Sequence, residues 1–182
     1  AKIGVIGLNG SGKSSLLRAG LVAVGGRTAV VVAPGADPVT EVAVRVAALL
    51  DRSAVDVRAE LAADPAVLRG LLRAAGNDVL LVVDQFEEVF TLCHDVAERQ
   101  EFIATLLALA NTDDDQTRVV IGVRAGFYAA CVSHPELAVA VRDRQVVVGA
   151  MTAGELREAI VRPAERAGLI AEGALVTTVV AE

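Results

Sequence analysis

The sequence Gly-Leu-Asn-Gly-Ser-Gly-Lys-Ser at residues 7–14 constrains the fold of this chain more than any other stretch. It fits the pattern G-x-x-x-x-G-K-[ST], an apolar run precedes it, and a helical pattern follows it directly. A phosphate-binding P-loop requires that context. We therefore predict a strand over residues 3–7, a phosphate-binding loop, and a helix over residues 13–24.

The residue types in this loop suit separate parts of nucleotide binding. Gly7, Gly10 and Gly12 allow backbone conformations in which consecutive N–H groups point at an anion. Lys13 has the reach to contact the β- and γ-phosphates, and the Ser14 hydroxyl is a suitable oxygen ligand for Mg²⁺. The predicted nucleotide-binding residues are Gly7, Asn9, Gly10, Ser11, Gly12, Lys13, Ser14 and Ser15.

Apolar runs that are typical of strands alternate with amphipathic patterns over the first 150 residues. Such an order predicts a parallel sheet with helices on both faces. We expect the α/β fold of P-loop NTPases, a three-layer sandwich with a five-stranded parallel sheet. Residues 1–150 would form the nucleotide-binding domain, and residues 151–182, where only helical patterns occur, would form the start of a small helical lid.

Capping residues mark where the predicted helices begin. Asp-Pro at residues 37–38 and again at residues 64–65 places a capping residue before a proline at the first helical position. Asp95 with Glu98, and Thr152 with Glu155, have the spacing of a capping box. The last of these helices is predicted to run through Ile160 up to Pro163.

The composition limits the classes of function. A net charge of −6 gives no support to a nucleic-acid-binding surface, which usually has a basic balance or a basic stripe. Two cysteines, Cys93 and Cys131, are too few for a disulfide framework and lack metal-ligand spacing, so the reducing cytoplasm is the expected compartment. No apolar run approaches the roughly 20 residues of a transmembrane helix. Periodic apolar residues run to the end of the sequence, so the chain is expected to be a piece of a longer protein.

Asp84 directly follows the apolar run at residues 79–83. Ligands of parallel sheets bind at the carboxyl ends of the strands, and a buried strand that ends in a carboxylate needs a partner for that charge. We therefore predict that Asp84 and Ser14 hold Mg²⁺, Asp84 either directly or through a water molecule.

Two acids and an arginine complete the predicted site. Glu87 and Glu88 follow Asp84 within one turn, so that one of them could orient or deprotonate the attacking water. Alternatively, both acids cap or solvate the start of the next helix. Arg124 ends the fourth predicted strand and either contacts the γ-phosphate or forms an ion pair with Asp84 or Glu88.

With GLNGSGKSSLLRAGL, VLLVVDQFEEVF, VVIGVRAGFYAAC and MTAGELREAIVRPAERAGL, the chain resembles the STAND class of signal-transduction ATPases. It is most similar to the bacterial "novel STAND" type, which is often fused to WD40 repeats. The segment DQFEE is similar to the D-G-x-D-E form of Walker B in NACHT proteins. On that match Asp84 is the magnesium acid, Glu87 and Glu88 take the places of the following acidic pair, and Arg124 is the sensor arginine. The family commonly has R-A-D-F-Y after the fourth strand, whereas this chain has R-A-G-F-Y at residues 124–128, with Gly126 in place of the aspartate.

The resemblance implies a molecular switch that binds ATP or ADP with Mg²⁺ and hydrolyses ATP slowly. It also implies that the ATP state self-associates and that sensor domains such as WD40 repeats are fused to this module. Two alternatives are a nucleotide-binding scaffold without hydrolysis, which Gly126 keeps open, and a P-loop small-molecule kinase. The sequence contains no N-K-x-D motif of GTPases and no L-S-G-G-Q segment of ABC transporters.

Overall fold

Five parallel strands form the central sheet of the computed structural model, which describes residues 2–23, 26–110, 117–142 and 144–181. The order across the sheet is β2-β3-β4-β1-β5, and all neighbouring strands are parallel. This arrangement confirms the predicted fold. The strands are β1 (Lys2–Gly7), β2 (Thr28–Val32), β3 (Val79–Val83), β4 (Thr117–Arg124) and β5 (Gln145–Val148).

Helices connect the strands. The helix after β1 begins as a regular turn and then continues as a π-helix over Leu16–Val22, and a 3-10 turn follows β4 at Ala125–Phe127. The α-helices are α1 (Lys13–Ser15), α2 (Pro38–Leu50), α3 (Ala54–Ala63), α4 (Val67–Ala75), α5 (Glu88–Thr91), α6 (Val96–Ala110), α7 (Tyr128–Val132), α8 (Pro135–Arg142), α9 (Ala153–Arg166) and α10 (Gly173–Ala181).

The sheet carries a hydrophobic core on each face. All of β3 is buried, as expected for a strand that helices cover on both sides. Leu81 belongs to the larger core, which includes residues of α2, α4 and α6. Leu80 and Val82 point to the other face and belong to a smaller core with Leu17, a fully buried residue of the π-helix. The smaller core therefore fixes the helix after the loop against the sheet.

Most of the predicted helix boundaries are found, with one correction to a helix start and one to a helix end. The Asp37 side chain accepts a hydrogen bond from the Thr40 N–H at the start of α2, and Thr152 with Glu155 forms a complete capping box. By contrast, α4 begins two residues after Pro65, because Asp64 accepts from the Ala66 N–H and forms a turn there instead. Helix α9 also continues through its proline and ends only at Arg166.

The predicted capping box at the start of α6 is wrong in one half. Asp95 accepts from the N–H of Glu98 as expected, at 3.3 Å. However, the Glu98 carboxylate accepts from the Val39 N–H at 2.9 Å and from Arg58 at 2.7 Å, and so ties α6 to α2 and α3. Burial raises the pKa of the Glu98 carboxyl, and its hydrogen bond with Asp37 acts in the same direction.

The chain divides into two compact units, Ala1–Val148 and Gly149–Glu182. The first unit contains the sheet and α1 to α8. The second unit contains α9 and α10, which pack against each other. Within the ranges given above, no helix has the length and apolar character needed to cross a membrane.

Candidate nucleotide-binding site

The loop between β1 and α1 has the backbone of an anion cradle. Gly10 and Gly12 have φ angles of 76° and 82°, in the left-handed region that glycine adopts without strain. Gly12 directly precedes α1, and no described side chain caps this helix start. The first N–H groups of the helix therefore need other partners, and a phosphate can supply them. Asn9 is exposed in the loop, and Ser15 ends α1.

Ser11 adds a donor to this cradle. It is buried, and its hydroxyl oxygen has no hydrogen-bond partner among the described residues. The loop passes so close to the end of β1 that a Cβ atom on Gly7 would lie 2.6 Å from this oxygen. An unpartnered buried hydroxyl is rare in proteins because losing hydration costs free energy. A phosphate oxygen is an acceptor that suits it.

Lys13 lies over the same loop. Its ammonium group donates to the carbonyl oxygens of Gly7 at 2.9 Å and Leu8 at 2.6 Å. An ammonium group has three donors, and these two contacts use two of them. The positive charge is therefore held at the mouth of the loop by weak neutral acceptors that an anionic ligand can replace.

Asp84 brings the two predicted metal ligands together. It is buried at the carboxyl end of β3, and its Oδ1 accepts from the Ser14 hydroxyl at 2.9 Å. The same oxygen accepts from the Gln85 N–H at 3.0 Å. Gln85 has a left-handed φ of 58° in this contact. The other oxygen, Oδ2, accepts from Arg18 Nε at 2.9 Å.

Sequence reasoning missed Arg18. The residue lies four positions after Ser14, so both side chains lie on the same face of the helix and contact the same carboxylate. This spacing was the available signal. A buried carboxylate is costly without a positive partner, and Arg18 provides that partner for Asp84.

Glu87 and Arg124 form an ion pair at the end of β4. Arg124 Nε lies 2.8 Å from Oε1 of Glu87, and the backbone N–H of Arg124 donates to Oε2 at 3.1 Å. Glu87 is only 4% exposed. An ion pair was one of the two predictions for Arg124, but its partner is Glu87 and not Asp84 or Glu88. Arg124 pairs in register with Gly7 of β1, so the ion pair lies next to the start of the loop.

Glu88 contacts a different part of the sheet edge. Its Oε2 accepts from the N–H of Gly35, in the segment after β2, at 3.0 Å. Neither Glu87 nor Glu88 caps α5 through its side chain, because each carboxylate is directed at another strand end. The acidic pair therefore links the carboxyl ends of β2, β3 and β4.

Gly122 is a second residue that sequence reasoning missed. A Cβ atom at this position of β4 would lie 2.6 Å from Leu17 and 3.5 Å from the Asp84 carboxylate. The absent side chain lets the helix after the loop approach the sheet closely enough for Ser14 to contact Asp84. A glycine inside a strand pattern is the sequence signal for such a close approach.

The two cysteines are packed in the interior. Both are buried, and burial, followed by the negative charge of Glu87, raises the pKa of the Cys131 thiol to about 11. A thiol with so high a pKa stays protonated at neutral pH and is a poor nucleophile. Across the part of the chain that the structure describes, no group of three His, Cys, Asp or Glu residues is arranged to hold a metal ion.

Known structures share this fold at low sequence identity. The Aeropyrum pernix ORC2 protein, solved as ADPNP–ADP complexes, has a TM-score of 0.59 and 16% identity, and the match covers 90% of this chain and 45% of that one. The Aeropyrum pernix ORC1 protein, solved in complex with DNA, has a TM-score of 0.60 and 15% identity, with 95% and 45% covered. This chain thus spans less than half the length of either protein.

No protein with a curated description matches the chain in sequence. The family model described as Novel STAND NTPase 1 matches residues 1–182. This match confirms the resemblance drawn from the motifs: the chain belongs to the novel STAND NTPases and is a nucleotide-binding NTPase module of that family.

Proposed function

We propose that this module binds ATP and ADP in the loop at residues 7–15 and hydrolyses ATP slowly with Mg²⁺, as the regulatory switch of a longer signalling protein. The observation that carries the proposal is the loop itself. An unpartnered buried hydroxyl on Ser11, an uncapped helix start and the Lys13 ammonium group converge on one small volume. Each of these groups is a hydrogen-bond donor, and phosphate is the ligand that offers acceptors to all of them.

The Ser14 and Asp84 oxygens fit Mg²⁺. This cation is usually held by one or two carboxylates together with phosphate oxygens and water, so a cluster of protein acids is not required. The Ser14 hydroxyl and Asp84 Oδ1, which lie 2.9 Å apart, would hold the ion. When bound, Mg²⁺ neutralises negative charge on the phosphates. Lys13 contributes a second positive charge on the loop side and holds the phosphate chain in place.

We assign different roles to the two acids. Glu87 uses both carboxylate oxygens on Arg124, so its role is to position that arginine. Glu88 uses Oε2 on the Gly35 N–H, which orients the side chain and leaves Oε1 to accept a hydrogen bond from water. We therefore propose that Glu88 orients the attacking water and accepts its proton.

Glu88→Gln should slow phosphate release by roughly 10²–10⁴-fold, the range for the loss of a general base. The glutamine oxygen still accepts from Gly35, so ATP affinity should stay within about twofold. Single-turnover phosphate release and calorimetric titration measure the two quantities. Glu101→Gln, which removes another half-buried carboxylate that lies on α6 and pairs with Arg58, is the matched control. Wild-type turnover in Glu88→Gln would contradict the assignment.

A scaffold that binds nucleotide without hydrolysis is the second candidate. The structure offers one specific observation in its favour: the carboxylates of Glu87 and Glu88 both already have partners. Gly126 also stands where the family commonly has an aspartate. The absence of phosphate release from a sample that binds ATP would select the scaffold.

Gly126→Asp should fold normally and raise the rate of phosphate release. A Cβ at this position has no described atom within 4 Å and the backbone φ is not left-handed, so the stability change should stay within about 0.5 kcal/mol. One restored hydrogen bond in the transition state corresponds to about a fivefold gain in rate. The matched control is Gly126→Asn, which has the same shape without the charge. A slower rate in Gly126→Asp would show that the acid has no favourable role in this chain.

We further propose that Arg124 reports the γ-phosphate. The γ-phosphate is an anion that can compete with Glu87 for the guanidinium group, which is 45% exposed. A ligand shifts a conformational equilibrium only by contacts that differ between the two conformations, and the exchange of Glu87 for the γ-phosphate at Arg124 is one such contact.

The proposed switch has further parts. Helices α9 and α10 form the start of a lid, and the ATP state self-associates. Sensor domains such as WD40 repeats are fused to the module, and the protein is cytoplasmic.

A further inference from the structure

The Asp84 carboxylate has a positive partner without any metal ion. Arg18 Nε lies 2.9 Å from Oδ2, and the Asp84 side chain is only 3% exposed. Leu17, the preceding residue, is buried against the sheet beside Gly122 and sets the position of this turn of the helix. The carboxylate of the ion pair is therefore buried in the packed structure, whereas the Arg18 side chain is 53% exposed.

A guanidinium group and Mg²⁺ compete for the same negative charge. With Arg18 on Oδ2, and Ser14 and Gln85 on Oδ1, every oxygen of the carboxylate is already engaged. A second cation at this carboxylate is repelled by the first, which lies 2.9 Å from Oδ2, although water around the 53% exposed Arg18 side chain reduces that repulsion. The phosphate oxygens must then supply most of the attraction for the metal.

We propose that Arg18 is the resident counter-cation of Asp84 and prevents Mg²⁺ from binding there until a nucleotide brings it. This inference rests on the magnesium role proposed for Asp84. Arg18 is a positioning residue in this account: it neutralises a buried charge, keeps the free protein stable, and makes metal binding depend on nucleotide binding. The module would accordingly be insensitive to free Mg²⁺.

Another ion pair in the chain provides a matched control. Arg27 Nε lies 2.6 Å from Oδ2 of Asp78, which is the same atom pairing. The Asp78 side chain is 43% exposed and its Oδ1 also lies 3.6 Å from Arg118, so water and a second cation compensate its charge when Arg27 is lost. Arg27→Met changes the net charge by the same amount as Arg18→Met. In both variants methionine retains a long apolar side chain.

The test is thermal unfolding without nucleotide, in EDTA or in about 10 mM Mg²⁺, with NaCl added to match the ionic strength. Arg18→Met should have a lower Tm than wild type in EDTA and should regain about 3–6 °C with Mg²⁺, since the ion then supplies the missing counter-charge. Wild type and Arg27→Met should change by less than about 1 °C. The double variant Arg18→Met/Asp84→Asn should lose the Mg²⁺ response.

Two results would overturn the inference. One is an equal Mg²⁺ response in wild type and Arg18→Met, and the other is a destabilised Arg18→Met that Mg²⁺ does not restore. If Arg18→Met is unfolded in EDTA, Mg²⁺ or the added Asp84→Asn substitution should refold it; failure of both would make Arg18 a packing residue only. Titration of wild type with Mg²⁺-ATP distinguishes this inference from the proposed function. If wild type binds Mg²⁺-ATP but Mg²⁺ does not raise the Tm of Arg18→Met, only the role of Arg18 is rejected.

Discussion

Replacing Lys13 with alanine is expected to lower the affinity for ATP by about two to three orders of magnitude. Each hydrogen bond to a charged group contributes about 1.5–3 kcal/mol, and a tenfold change in affinity corresponds to about 1.4 kcal/mol. Among the residues that the structure describes, the Lys13 ammonium group donates only to the neutral carbonyl oxygens of Gly7 and Leu8. The phosphates offer charged acceptors instead, so most of the contribution of this side chain appears on binding.

The Lys13 experiment needs a check on folding and on charge. The two lost contacts are both to the loop, so Lys13→Ala should unfold at nearly the wild-type temperature. Arg45→Ala, which removes one positive charge from an exposed position on α2, is the matched control and should bind ATP as wild type does. Calorimetric titration measures all three proteins. Near-wild-type affinity in Lys13→Ala would contradict the proposed phosphate site.

Arg124→Ala should have a large effect on stability. It leaves the buried Glu87 carboxylate with one backbone N–H as its remaining described partner, and we expect a loss of about 2–3 kcal/mol in the free energy of unfolding. This value is at the low end for a broken ion pair because the guanidinium group is 45% exposed. If Arg124 also contacts the γ-phosphate, the preference for ATP over ADP should fall about tenfold.

Two further variants separate the two effects of Arg124. Arg52→Ala breaks the exposed Arg52–Glu60 ion pair and should leave the denaturant unfolding midpoint close to that of wild type. Arg124→Ala/Glu87→Gln removes both charges and should recover much of the stability while still discriminating poorly between ATP and ADP. Unchanged discrimination in Arg124→Ala would exclude the sensor role, whatever its stability.

The features predicted well from the sequence are those that one segment specifies by itself. Gly7, Gly12 and Lys13 define the loop because phosphate binding needs those residue types at that spacing. The apolar run that ends at Asp84 defines β3, since a strand covered on both faces must be apolar throughout. The parallel sheet then follows from the alternation of strands and helices.

The features that were missed depend on distant partners. Only Val57 and Leu61 of α3 are buried, so its apolar pattern was too weak to find. Glu98 has capping-box spacing, but a tertiary contact with Arg58 offers a stronger partner than the helix start does. Pro163 did not end α9, because the preference of the preceding residue to leave the helix is only a tendency.

The same distinction applies to the site. Ser14 and Asp84 could be placed together because β1 and β3 end at the same edge of a parallel sheet. The pairing of Glu87 with Arg124, and of Glu88 with Gly35, depends on which strands lie next to each other. Strand order is a tertiary property that the local sequence does not specify, since β4 lies between β1 and β3 despite following both in the chain.

The measurement that tests the central claim most directly is calorimetric titration of the wild-type chain with ATP, ADP and GTP in Mg²⁺. The proposed site predicts saturable binding of ATP and ADP at one site per chain, weaker binding of GTP, and an affinity for ATP in Lys13→Ala that is lower by about two to three orders of magnitude. Absence of heat with every nucleotide, from a protein that circular dichroism shows to be folded, would contradict the assignment of the loop as a nucleotide site.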